Sequence, residues 1–121
     1  MTDTVLLGPK ALSALLLDIV RRMPGNTNPR KGRSCRYTSP TDPDRHCLIG
    51  QLAAEQGWDL GMCPTITGLG AATMARQLSW PVTSRGAGYL REVQALADAF
   101  TPSGLTRTWS EVESYIVKRA A

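Results

Sequence analysis

Cys35-Arg36-Tyr37, a turn-rich gap, then His46-Cys47-Leu48-Ile49-Gly50-Gln51-Leu52, closing at Gly57-Trp58, is the stretch whose reading decides the fold. Arg36-Tyr37-Thr38 is a short β-prone run. Ser39-Pro40-Thr41-Asp42-Pro43-Asp44 is turn chemistry, because the prolines fix φ and the Asp and Ser side chains bond nearby backbone amides. Leu48, Ile49, Leu52 and Ala53 then fall at helical spacing, and Gly57 is a natural stop. The stretch therefore reads as strand, tight connection and helix, with a brief second strand at Arg45 to Cys47. It holds two of the three cysteines and the only histidine. The cysteines read as small buried apolar groups.

Working outward, the residues on either side read as helices joined by punctuated loops. Residues 1–5 are expected to fray. Gly8-Pro9 opens a helix in which Leu12, Leu15, Leu16, Ile19, Val20 and Met23 form one apolar stripe. Arg21 and Arg22 suit its last turn, and Pro24-Gly25 ends it. Residues 24–34 read as a mobile basic loop. Trp58 to Thr67 is loop-like yet apolar, either a lid on the core or an exposed patch. Gly68-Leu69-Gly70-Ala71-Ala72-Thr73 is a poor phosphate loop: Thr73 stands at the third glycine position and no buried strand precedes it. Thr67 as the cap of a helix from Leu69 to Leu78 accounts for it better. Ser79-Trp80-Pro81 closes that helix. Thr83 or Ser84 caps a fourth, through Phe100, with Tyr89, Leu90, Val93, Leu96, Ala97 and Phe100 inward. Thr101-Pro102-Ser103-Gly104 breaks it. Thr108-Trp109-Ser110-Glu111 is a capping box opening the last helix, which turns Trp109, Val112, Tyr115 and Ile116 inward. The fold expected is mainly α: a single compact domain over residues 1–121, about five short helices and a small two-stranded β element near residues 35–47.

A chain of 121 residues is expected to form one domain and to hide about two-thirds of its unfolded surface. No apolar run approaches the roughly 20 residues that span a bilayer, and Val5-Leu6-Leu7 is too short for a signal-peptide core. A cytosolic protein with no membrane partner is expected. An odd count of three cysteines argues against a disulfide scaffold. The net charge of +4 is unevenly spread. Residues 21–36 carry Arg21, Arg22, Arg30, Lys31, Arg33 and Arg36 with no acid, a local +6, while the rest is −2.

Cys-x-Tyr at Cys35, a polar turn, Cys47-Leu48-Ile49-Gly50 and a helix ending in Gly resemble a pattern in small proteins of actinobacteriophages and their actinobacterial hosts. Leu90-Arg91-Glu92-Val93-Gln94 with Ala97-Asp98, and Thr108-Trp109, fit the same pattern, so the similarity spans roughly residues 35–117. The resemblance implies a phage-related origin and the cytoplasm of an actinobacterial host. It implies no reaction. The chain departs from the pattern in the basic run before Cys35 and in the long Trp58–Thr67 loop, which holds Cys63.

Chemistry is tested residue by residue. A Cys-His pair among Cys35, Cys47 and His46 is the one catalytic arrangement left open, but adjacent His46 and Cys47 point to different faces, and no catalytic residue is assigned. Cys35, His46, Cys47 and Cys63 total the four soft ligands of a structural zinc, yet no Cys-x-x-Cys is present, so no metal or other cofactor is expected. Glu111 and Glu113 fall on opposite sides of a helix, which removes paired-carboxylate chemistry. The expected function is that of a phage-encoded or phage-derived interaction protein that binds and modulates a host bacterial protein and is not an enzyme. Its expected surface is Arg30, Lys31, Arg33 and Arg36 beside Trp58, Leu60, Met62 and Ile66. The alternative is a small nucleic-acid-binding protein using the same basic stretch, 21–36. Monomer and homodimer both suit the apolar stripes.

Overall fold

Pro9 sets the first turn of α1, Pro9–Arg22, and every fourth or third residue after Leu12 is apolar, so one face of this helix must be covered. The computed structural model describes residues 5–27, 30–31, 34–35, 46–58, 71–98 and 107–120. α1 is followed by α2, Leu48–Gln56; α3, Ala71–Gln77; α4, Ser84–Asp98; a 3-10 turn, Trp109–Val112; and α5, Glu113–Ala120. The chain is mainly helical, with five α-helices among the described residues, as the periodicity predicts. α1 lies against α2, α4 and α5, and α3 lies against α4. Leu12, Leu16, Ile19 and Val20 meet Leu48, Ile49 and Leu52 of α2, Tyr89, Leu90 and Val93 of α4, and Trp109 and Ile116 in one buried cluster.

Local chemistry sets the helix ends. Gly57 takes φ 74°, the left-handed conformation that closes α2 with its N–H on Ala53 and Ala54 carbonyls. The Thr83 hydroxyl accepts the Gly86 N–H at 2.9 Å and caps α4. The Glu111 carboxylate accepts the Thr108 N–H at 2.9 Å, as the expected capping box requires. The chain after this cap makes one 3-10 turn before α5, so the last helix begins more tightly than its sequence implies. Thr67 to Gly70 and Phe100 lie outside the described residues.

A two-stranded β element near residues 35–47 is not supported. Residues 36–45 lie outside the described residues, and the extended pairing that is described lies earlier. Arg30–Lys31 (β1) runs antiparallel to Ser34–Cys35 (β2), Arg30 opposite Cys35 and Lys31 opposite Ser34. Two residues a side make a local clasp, not a sheet.

Two backbone clasps fasten segments far apart in sequence. Leu7 donates to the Pro81 carbonyl at 2.9 Å and accepts from the Thr83 N–H at 3.0 Å. Pro24 and Asn26 accept the N–H groups of Ser110, at 3.0 Å, and Trp109, at 2.8 Å. Pro24 to Thr27, the start of the expected basic loop, is thereby tied to the entry of the last helix.

The first clasp requires Gly86. A Cβ there would stand 2.5 Å from the Leu7 carbonyl oxygen and 3.0 Å from Leu12 Cδ1. At Gly88, one residue beyond Ala87, a Cβ would meet nothing within 4 Å. Gly86→Ala is expected to destabilise the fold by about 1–3 kcal/mol through overpacking. Gly88→Ala is expected to stabilise the fold of a single chain by roughly 0.5–1 kcal/mol through helix propensity. Urea unfolding of the two variants beside wild type checks both signs.

Candidate functional site

The basic block divides into two kinds of charge once its first residues are placed. Arg21 and Arg22 end α1, and both face acids from other parts of the fold. Arg22 Nη2 lies 2.5 Å from Glu55 Oε1 of α2, and its Nε lies 2.9 Å from Asp18 Oδ2. Hydrogen bonds that Arg22 donates to Glu55 and then to Asp18 raise its pKa above the ordinary value. Arg21 Nε lies 3.5 Å from Glu113 Oε1 of α5. These two cations therefore staple α1 to α2 and α5. The remaining four, Arg30, Lys31, Arg33 and Arg36, follow within seven residues that contain no acid. Arg30 and Lys31 are described as backbone, in the β1–β2 clasp; Arg33 and Arg36 lie outside the described residues.

Trp58 anchors the other half of the expected surface. Its N–H bonds the Ala53 carbonyl at 2.8 Å, just past the end of α2. Its half-buried ring tilts onto buried Trp80, with centroids 5.5 Å apart. The apolar segment that follows in sequence thus starts from a fixed aromatic pair. Leu60, Met62 and Ile66 lie outside the described residues.

Of the four residues weighed as zinc ligands, Cys47 and His46 are described with side chains. Cys47 is 2% exposed, and its Sγ accepts the Gly50 N–H at 3.2 Å, so the thiol caps α2. His46 is half-buried just before it. Cys35 is described as backbone, and Cys63 lies outside the described residues. Among the described residues, no three His, Cys, Asp or Glu side chains gather into a metal-binding group.

The sequence reading missed a cleft between α1 and α4. It is open, about 470 Å³, and lined by Pro9, Arg85, Gly88, Tyr89 and Glu92. Tyr89 forms its floor. Ser13 Oγ donates to the Tyr89 hydroxyl at 2.7 Å, and both side chains are buried. The Tyr89 ring stacks on Tyr115, centroids 6.3 Å apart, and the Tyr115 hydroxyl donates to the Glu92 carboxylate at the cleft rim. One signal was available: Ser13 falls on the apolar face of α1, three residues before Leu16 and seven before Val20, where a hydroxyl needs a partner. Ser13→Ala alone is expected to cost about 1–3 kcal/mol, because it removes a buried donor. Ser13→Ala with Tyr89→Phe is expected to cost less than the sum of the two single changes, and a double-mutant cycle in urea reads the coupling.

Glu111 is the described carboxylate whose pKa is lowered, by the Thr108 N–H and then the Thr108 hydroxyl. A lowered folded pKa stabilises the fold above the unfolded value, near 4.5, and that contribution is lost as pH falls through the folded one. Glu111→Gln is therefore expected to flatten the acid limb of stability against pH and leave the neutral slope unchanged; unfolding midpoints across the acid range measure it.

No family model, curated protein or solved structure matches the chain. No helix among the described residues is long and apolar enough to cross a membrane.

Proposed function

We propose that the protein is a small interaction module, phage-encoded or phage-derived, that binds a host bacterial protein in the bacterial cytoplasm and alters its activity or location. Its contact surface is Arg30, Lys31, Arg33 and Arg36 together with the loop that starts at Trp58 and carries Leu60, Met62 and Ile66. The observation that supports this reading is the division of the basic block. Arg21 and Arg22 are engaged by Glu113, Glu55 and Asp18, whereas the four later cations have no acid in their own segment. Clustered cations on a short segment draw an acidic surface and speed encounter. An apolar loop leaving a fixed tryptophan pair adds area that excludes water, which charge alone does not supply. The Cys-x-Tyr and Cys-Leu-Ile-Gly resemblance supports the phage-related origin and the actinobacterial setting.

The same cations would serve a nucleic acid, and salt separates the two. Phosphate contacts make log affinity fall by about 0.9 per neutralised phosphate per log unit of salt. Affinity capture from an actinobacterial lysate, with wild type and with Arg30, Lys31 and Arg33 changed together to Ala, is the experiment. One dominant, saturable protein that survives nuclease and high salt is the expected result. The triple change is expected to weaken it roughly tenfold, at up to about 1 kcal/mol per exposed charge pair. Capture abolished by nuclease hands the surface to nucleic acid, and no saturable partner removes the proposal.

A further inference from the structure

We infer that the α1–α4 cleft is a self-association face that pairs with a second copy of this chain across a twofold axis near Gly88. Arg85, Gly88 and Glu92 stand at i, i+3 and i+7 on α4, so they share one face of the helix. All three border the cleft. The two charges are of opposite sign, about 10 Å apart along the helix axis at 1.5 Å per residue, and Gly88–Tyr89 lies midway between them. A second α4 laid antiparallel on this face sets each Arg85 beside the other copy's Glu92. That is the self-complementarity an isologous interface requires: residue i meets j, and j meets i. An acidic partner would match one end of the face and clash with the other, and so would a basic one.

Three further features favour a second copy. Gly88 leaves a notch at the midpoint, with nothing within 4 Å of where a Cβ would stand, so two helix backbones can approach closely there. Arg85 sits in the first turn of α4, which contains no acid. A cation is unfavourable at that end of the helix dipole unless an anion is brought to it, and Glu92 of the second copy is that anion. The Tyr115 hydroxyl, bonded to Glu92, holds this carboxylate at the rim of the cleft.

The purified chain alone tests this. Sedimentation equilibrium over a wide concentration range is expected to show a reversible dimer that weakens with added salt. Arg85→Glu and Glu92→Arg should each raise the dimer dissociation constant by about tenfold or more, because each creates two like-charge contacts across the axis. An equimolar mixture of the two variants should associate again, since both contacts then pair opposite charges. Glu92→Gln keeps an acceptor for Tyr115 and removes the charge, so it should weaken the dimer less than Glu92→Arg, with helicity by circular dichroism unchanged. Restoration in the mixture is a result that a merely destabilised fold does not give. A wild type that stays monomeric throughout, a dimer indifferent to both reversals, or a mixture as dissociated as its components overturns the inference.

Discussion

Leu12, Leu16, Ile19 and Val20 of α1 are sealed from water because α2, α4 and α5 all close over the same face. Each such side chain contributes about 1.5–3 kcal/mol on burial, so the stripe alone is of the same order as the net stability of a domain this size. The other helices depend on it. α2, α3 and α5 are nine, seven and eight residues long, below the roughly 12–15 at which an isolated helix holds in water. They exist as helices because they cover α1 or α4. The same closure forces the position of Ser13. A hydroxyl on the sealed face has no water to bond, and Tyr89 comes from 76 residues away to meet it.

The connections are fixed by backbone hydrogen bonds more than by sheet. Leu7 clasps Pro81 and Thr83, and Pro24 and Asn26 clasp Ser110 and Trp109. Each clasp joins the chain beside one end of α1 to the entry of a later helix. Helix entries are where orphan N–H groups collect, and here side chains and clasps share the work of satisfying them. Cys47 takes Gly50, Thr83 takes Gly86, and Glu111 takes Thr108. A thiol is a weaker acceptor than a serine hydroxyl, so Cys47 caps α2 less strongly than serine would, but it also fills apolar space at 2% exposure.

Features carried by spacing were legible in the sequence. The stripe of α1, the inward face of α4, the Gly57 stop and the Thr108–Glu111 cap are all local, and each was read from residues within one or two turns of one another. Features made by long-range contact were not. Nothing near Arg22 in sequence announces Glu55, 33 residues on, so the block of six basic residues looked uniform when two of them are structural pairs. The two-stranded element expected near residues 35–47 rested on β propensity, which reports how a residue fits a sheet already present, and it is not supported among the described residues. The cleft escaped for a similar reason. Arg85, Gly88 and Glu92 look like ordinary solvent-facing positions of an amphipathic helix, and only Pro9 from α1 and the Tyr89 floor turn them into one site.

The two proposed surfaces would act on one another through stoichiometry. The basic segment is short and its four cations are worth little individually, because exposed charge pairs contribute at most about 1 kcal/mol each. A single copy would therefore hold an acidic partner weakly and in a salt-dependent way. A twofold pair through α4 would carry two basic segments and two copies of the apolar segment that follows Trp58. A partner that is itself repeated or symmetric can engage both, and linkage of that kind raises apparent affinity by about 10²–10⁴ without any new contact. The α4 face is electrically balanced, one Arg85 against one Glu92 in each copy, so pairing through it would leave the +4 of each chain available. Association through a balanced face and recognition through an unbalanced one can coexist in a chain this small because the two draw on different charges.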